Sequence, residues 1–119
     1  MSATSRPGSS HCGIDAAMGV INGKWKVLIL WALTERRRCR FGELRRMIPG
    51  VTEKVLSAQL RELEADGILH REVFDEVPPR VEYSLTPLGD ELNEALAPLG
   101  AWGRHYVAGP SQGNPPPTR

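Results

Sequence analysis

Thr52–Asp66, TEKVLSAQLRELEAD, is the stretch whose reading decides the fold. Leu56, Leu60 and Leu63 recur at spacings of four and three, which places them on one stripe of a helix, and Val55 widens that stripe. Lys54, Ser57, Ala58 and Arg61 fall on the other side. Thr52 suits the N-cap, because its hydroxyl can accept a hydrogen bond from a free amide of the first turn. Gly67 stops the helix, since it takes the positive φ that turns the chain away. Upstream, Phe41–Ile48 (FGELRRMI) reads as a shorter helix with Phe41, Leu44 and Ile48 inward, and Pro49-Gly50-Val51 joins the two. A short helix, a tight turn containing Gly and a longer helix make a helix-turn-helix, whose second helix commonly enters a DNA major groove. A helical hairpin in any small domain has the same pattern.

Charge adds direction. The 119-residue chain carries a net charge of +1, unevenly placed. From Lys24 to Arg61 there are ten Lys/Arg and three Asp/Glu, whereas from Glu62 to Glu94 there are two Lys/Arg and ten Asp/Glu. A basic half coinciding with a helix-turn-helix is the footprint of a phosphate-binding surface, although a solvated charged face has the same composition. The length predicts one domain, 12–107, between Ser/Gly/Pro-rich segments 1–11 and 108–119 read as disordered tails. No apolar run reaches the ~18 residues that span a bilayer, and no N-terminal segment resembles a signal peptide. The expectation is a cytoplasmic protein without a membrane partner.

The chemistry-bearing residues are few. Cys12 and Cys39 form no CxxC, and no Cys/His cluster has zinc spacing, so neither a metal site nor a disulfide scaffold is expected. No cofactor motif is present. His11, His70 and His105 have no nucleophile at readable spacing, which speaks against an enzyme, and His70 reads as an ordinary strand residue. Cys39 sits among arginines, which would favour its thiolate.

The rest of the chain completes a winged pattern. Ile14–Ile21 reads as a short helix ended by Asn22-Gly23. Lys24–Leu33 (KWKVLILWAL) is apolar enough for a buried strand, but Trp25, Leu28 and Ala32 fit a helical stripe, so a helix at the centre of the core is expected. Trp31 is assigned to the core or an interface. Thr34–Arg40 (TERRRCR) reads as a basic connection beside the helix-turn-helix. After Gly67 the period changes. Ile68–Phe74 and Val81–Leu85 read as strands, with Val81, Tyr83 and Leu85 on one face and Pro78-Pro79 at the hairpin tip. A hairpin after a recognition helix is a wing, and Arg80 is placed to reach a DNA backbone or minor groove, while Asp75 and Glu76 argue against the whole tip lying on phosphate. Thr86-Pro87 opens a last helix whose Leu88, Leu92, Leu96 and Leu99 form a ridge up to Trp102, with a kink expected at Pro98. That amphipathic helix is a natural dimerisation element. The fold class is therefore mostly α with a small β-hairpin.

The strings GKWKVLILWAL (23–33), RFGELRRMIPGVTEKVLSAQLRELEADGIL (40–69) and EVPPRVEYSLTPLG (76–89) resemble the HxlR-type winged helix-turn-helix transcriptional regulators, which are MarR-like. The resemblance spans Cys12 to Trp102. It implies a homodimer that binds double-stranded DNA at a palindromic operator and acts as a repressor or an activator. It also implies that Trp25 belongs to the core and Pro78-Pro79 to the wing. Some members sense oxidants or electrophiles through a cysteine near the N-terminus, and Cys12 matches that position; the alternative for Cys12 is a buried structural thiol. His11 and the helix start would favour the Cys12 thiolate, and Asp15 would oppose it. Cys39 matches no family cysteine.

In such a dimer two recognition helices enter successive major grooves on one face of the duplex, and two-fold symmetry requires an inverted repeat. Lys54, Ser57 and Arg61 are then the base-edge or phosphate contacts, with Ala58 on the same outward face and Arg61 the reader of guanine. Thr52, Arg45, Arg46 and Arg80 position the backbone. Glu53 could accept from a cytosine amine or stabilise the positive helix end. A small-molecule effector would need a cavity between wing, core and C-terminal helix. The competing reading is a winged-helix protein-interaction module that never touches DNA.

Overall fold

The computed structural model describes residues 12–109; the segment 1–11, including His11, and the segment 110–119 lie outside the described residues. In chain order the elements are α1 (Gly13–Val20), α2 (Lys24–Glu35), β1 (Cys39–Arg40), α3 (Phe41–Met47), α4 (Glu53–Ala65), β2 (Leu69–Phe74), β3 (Arg80–Leu85) and α5 (Pro87–Ala108). The three strands form one antiparallel sheet in the order β1-β3-β2. This is the expected winged helix-turn-helix, with one strand more than the sequence reading gave. α5 also runs one residue past the expected domain limit at 107.

The core is built where the leucine stripes meet. Ile29, Leu30, Ala32 and Leu33 of α2 are buried with Leu44 of α3, the adjoining Ile48, and Leu56, Leu60 and Leu63 of α4. Removing each large side chain from water stabilises the fold by about 1.5–3 kcal/mol. The helical reading of 24–33 holds, but the helix is not covered all round. Trp31 is 47% and Val27 36% exposed, so Trp31 is not a core residue of the described chain; Trp25 is half-buried against the core. Conversely Lys26 is buried, because its ammonium finds Glu62 of α4 at 2.5 Å and Asn22 Oδ1 at 3.3 Å. A buried charge persists only with such partners.

The stretch 34–40 is not a free connection. Thr34 and Glu35 complete α2, and Cys39 and Arg40 pair with Tyr83 and Glu82 of β3. Two residues are too few to show alternation, so this strand could be specified only by its partner. The hairpin pairs Leu69 with Leu85 through Phe74 with Arg80, with Pro78 and Pro79 in the connecting loop. Alternation then sorts the sheet. Cys39, Leu69, Arg71, Val73, Val81, Tyr83 and Leu85 share one face; buried Cys39 and Leu69 and core-packed Tyr83 and Leu85 identify it as the inner one. His70, Glu72, Phe74, Arg80, Glu82 and Ser84 take the outer face.

Two helices are exposed. No α1 residue is buried, and Ile14 and Met18 face solvent. α5 continues through Pro98 to Ala108. Its first half touches the core through Leu92 and Leu96, and Asn93 donates to the Leu30 carbonyl at 3.2 Å and to the Thr34 hydroxyl. Its second half carries exposed Leu99, Trp102, Tyr106 and Val107. At its start Thr86 joins three elements. The Thr86 hydroxyl lies 2.6 Å from the Gly67 carbonyl oxygen, 3.1 Å from that of Ile68, and accepts from the Gly89 N–H at 3.0 Å.

Candidate nucleic-acid interface

α4 is defined at both ends by local chemistry. Thr52 Oγ1 accepts from the Val55 N–H at 3.1 Å, as its cap position requires. At the other end Gly67 has φ +79, with Ile68 N–H bonded to the Leu63 carbonyl at 2.9 Å and Gly67 N–H to that of Glu64 at 3.0 Å. This paired arrangement satisfies carbonyls that the helix end leaves open. The turn from α3 uses Gly50 at φ +87. With Leu56, Leu60 and Leu63 inward, Lys54 and Arg61 are exposed, and Ser57 and Ala58 are half-buried on the flanks of the outward face. Arg61 donates to the Ser57 hydroxyl at 2.9 Å.

The expected positioning residues divide. Arg46 and Thr52 are exposed beside the α3–α4 turn. Arg45 is there too, bound to Glu53 at 2.9 Å, so Glu53 acts as an ion-pair partner at the start of α4. Arg80 is held on the outer face of the sheet. Its guanidinium carbon stacks 3.9 Å from the Phe74 ring centroid, and its nitrogens lie 3.3 Å from Glu76 and 3.4 Å from Glu82. The basic half is also partly neutralised from within. Lys26, Arg36, Arg37, Arg38 and Arg45 each meet a carboxylate, five of the ten cations between Lys24 and Arg61.

The two thiols differ in access. Cys39 is buried, and its Sγ lies 3.6 Å from the Arg36 carbonyl oxygen. Burial, and then the Glu43 carboxylate, push its thiol above the ordinary range against the opposing pull of Arg36. The arginine-rich sequence therefore does not make Cys39 a thiolate. Cys12, at the N-cap of α1, is exposed rather than buried. Glu43 accepts from the Arg40 backbone N–H at 2.8 Å, which, followed by nearby Arg36, Arg40 and Arg46, holds its carboxyl below the usual carboxylate range.

Two clefts border the recognition elements. One, about 310 Å³ and apolar, lies between α1 and α5, with Ala17, Val20, Ile68, Leu88 and Leu92 in its walls. An effector cavity was expected between wing, core and α5; this cleft touches α5 and core but no wing residue. The second, also about 310 Å³, is polar and lies between α4 and the sheet, lined by Ser57, Leu60, Arg61, Glu64, Arg71 and Tyr83. Arg71 and Tyr83 were not singled out from sequence. The available signal was the alternation of the hairpin, which puts a charged residue in the row of Leu69 and Val73. Among the described residues no single helix is long and apolar enough to cross a membrane.

Comparison with known proteins supplies a context for this geometry. A family described as HxlR-like helix-turn-helix matches residues 20–110. YtfH of Escherichia coli strain K12, an uncharacterized HTH-type transcriptional regulator, is 51% identical over 94 residues, 79% of this chain and 74% of its own. A transcriptional regulator of the MarR family from Enterococcus faecalis V583 superposes with a TM-score of 0.74 at 42% identity, covering 91% of this chain and 94% of that one. The redox regulator HypR in its reduced form superposes with a TM-score of 0.73 at 44% identity, covering 77% of this chain and 90% of its own. Its oxidized form gives 0.72 at 45% identity over 78% and 95%.

Proposed function

The chain belongs to the HxlR-like helix-turn-helix family, and from that membership we propose that it binds DNA sequence-specifically as a homodimer on a palindromic operator. It is a transcriptional regulator of the helix-turn-helix type; its relatives are regulators, not enzymes. The observation that carries the DNA reading is the outward face of α4. Lys54 and Arg61 project from a helix capped at both ends and backed by three buried leucines, and neither forms an ion pair among the described residues. An α-helix about 10–12 Å across fits a major groove about 12 Å wide. Arg61 then reads a guanine edge, Lys54 and Ser57 reach adjacent edges or phosphates, and Ala58 allows close approach. Thr52 and Arg46 bond the backbone beside the helix start. Arg45 and Arg80 reach a phosphate only by exchanging Glu53, or Glu76 and Glu82, for it, so their contribution is smaller.

Dimerisation is supported by the exposed second half of α5, where the Trp102 and Tyr106 rings stack 5.2 Å apart beside exposed Leu99. So large an apolar surface on one helix calls for a partner, and a second copy would supply the two-fold axis that an inverted repeat needs. Exposed Cys12, together with the likeness to HypR, supports regulation by oxidants or electrophiles through that thiol.

The test is fluorescence anisotropy on DNA flanking the protein's own gene and on random DNA, across several salt concentrations, with protein reduced and then oxidised. Saturable binding that random DNA does not reproduce is expected, altered by oxidant in the native protein and not in Cys12→Ser. Absence of binding to any DNA at low salt would overturn the proposal and favour the protein-interaction module.

A further inference from the structure

Arg71 is the one charged side chain on the inner face of the sheet; its companions there are Cys39, Leu69, Val73, Val81, Tyr83 and Leu85. It stands directly across from Tyr83. Arg38 and Arg80 on the outer face are each held by two carboxylates, whereas Arg71 meets no carboxylate within ion-pair distance among the described residues. It lines the polar cleft together with Arg61, Ser57 and Tyr83. Arg71 is exposed, so an unpaired guanidinium stands at the mouth of this cleft, where an anion would gain charge-assisted hydrogen bonds.

We infer that Arg71 and Tyr83 form a clamp for one DNA phosphodiester, beside the Arg61 that reaches the base edges. The clamp rests on the DNA-binding reading above. A helix that fills the major groove has a phosphate strand along each flank. Ser57, Arg61 and Glu64 recur at helical spacing along the flank of α4 that faces β2 and β3. The strand on that side passes over the cleft, where Arg71 approaches it from the sheet. Glu64 shares the cleft and pairs with neither arginine. Its carboxylate disfavours a dianion, so a singly charged phosphodiester fits better than free phosphate, much of which is dianionic at neutral pH.

The test measures salt-dependent binding to a random-sequence duplex, which needs no knowledge of the operator. Arg71→Ala and Arg71→Gln should bind about tenfold more weakly than the wild type, with the slope of log K against log salt smaller by about one per protomer. Arg71→Lys should recover most of that slope, because it restores the charge. Melting curves for all variants confirm that each is folded, and the Gln and Lys variants carry the test should the Ala variant melt early. Replacing chloride by inorganic phosphate at equal ionic strength should leave binding unchanged. Competition by phosphate, lost in Arg71→Gln, would identify a free-anion site and overturn the clamp. Wild-type binding with unaltered affinity and slope in the folded variants would overturn the clamp and leave the DNA reading standing. No binding by the wild type would remove both.

Discussion

Among the described residues Arg61 has a neutral partner, the Ser57 hydroxyl, and no ion-pair partner. Exchanging that bond for the two acceptors of a guanine edge loses little and gains a bidentate contact. Arg61→Ala should therefore cost about 1–3 kcal/mol on the operator, with a smaller loss on random DNA; equal losses would reassign Arg61 to phosphate contact alone. The two cysteines make an internal comparison. A thiol reacts as its thiolate and needs access, so brief alkylation of the native protein followed by peptide mass analysis should label exposed Cys12 and spare Cys39. Unfolding should equalise them. Labelling of Cys39 in the native protein would mean that the β1 edge opens readily.

At the scale of elements, α3 is tied at its start by Glu43, whose carboxylate accepts the Arg40 N–H. The folded state favours the ionised form, so Glu43 contributes stability above its unfolded pKa, about 4.3, and loses it as pH falls through the lower folded value. Glu43→Gln should melt earlier than the wild type at pH 7, and the gap should narrow toward pH 3. α5 offers a different test. Trp102→Glu would place a charge in the apolar second half; sedimentation should then show monomers, and operator affinity should fall because one half-site is engaged at a time. Persistence of the dimer would move the interface elsewhere, exposed Ile14 and Met18 of α1 being the alternative. These elements differ in how far the sequence announced them. The leucine stripe of α4, the caps at Thr52 and Thr86 and the Pro78-Pro79 loop were legible, because each is specified by neighbours a few residues away. β1 was not, since its two residues are strand only by virtue of β3. The burial of Lys26 was equally hidden, being decided by Glu62 on another helix. Arg71 sat within a correctly read strand, and its significance appeared only once the facing helix was in place.

Across the whole molecule, composition overstated the basic surface. Half of the cations in the basic half are turned to carboxylates, many from the acidic half, so the two halves serve in part to hold each other. Of the five left without a carboxylate among the described residues, Arg46, Lys54 and Arg61 lie on α4 or beside the turn that leads into it, while Lys24 opens α2 and Arg40 lies in β1. The joint at Thr86 governs how α4 is aimed. It binds the residues where α4 ends to those where α5 begins, and α5 then extends for 22 residues, about 33 Å at the helical rise. In a dimer pinned along the far half of α5, the helix is a lever arm with the reading head fixed at its end. Over the ~16 Å between the pinned half and the head, a tilt of about 10° in each arm displaces its head by roughly 3 Å, close to the ~3.4 Å step between stacked base pairs. An effector acting far from the DNA could thus shift the pair of heads out of step with the operator by gearing alone, leaving both domains internally unchanged.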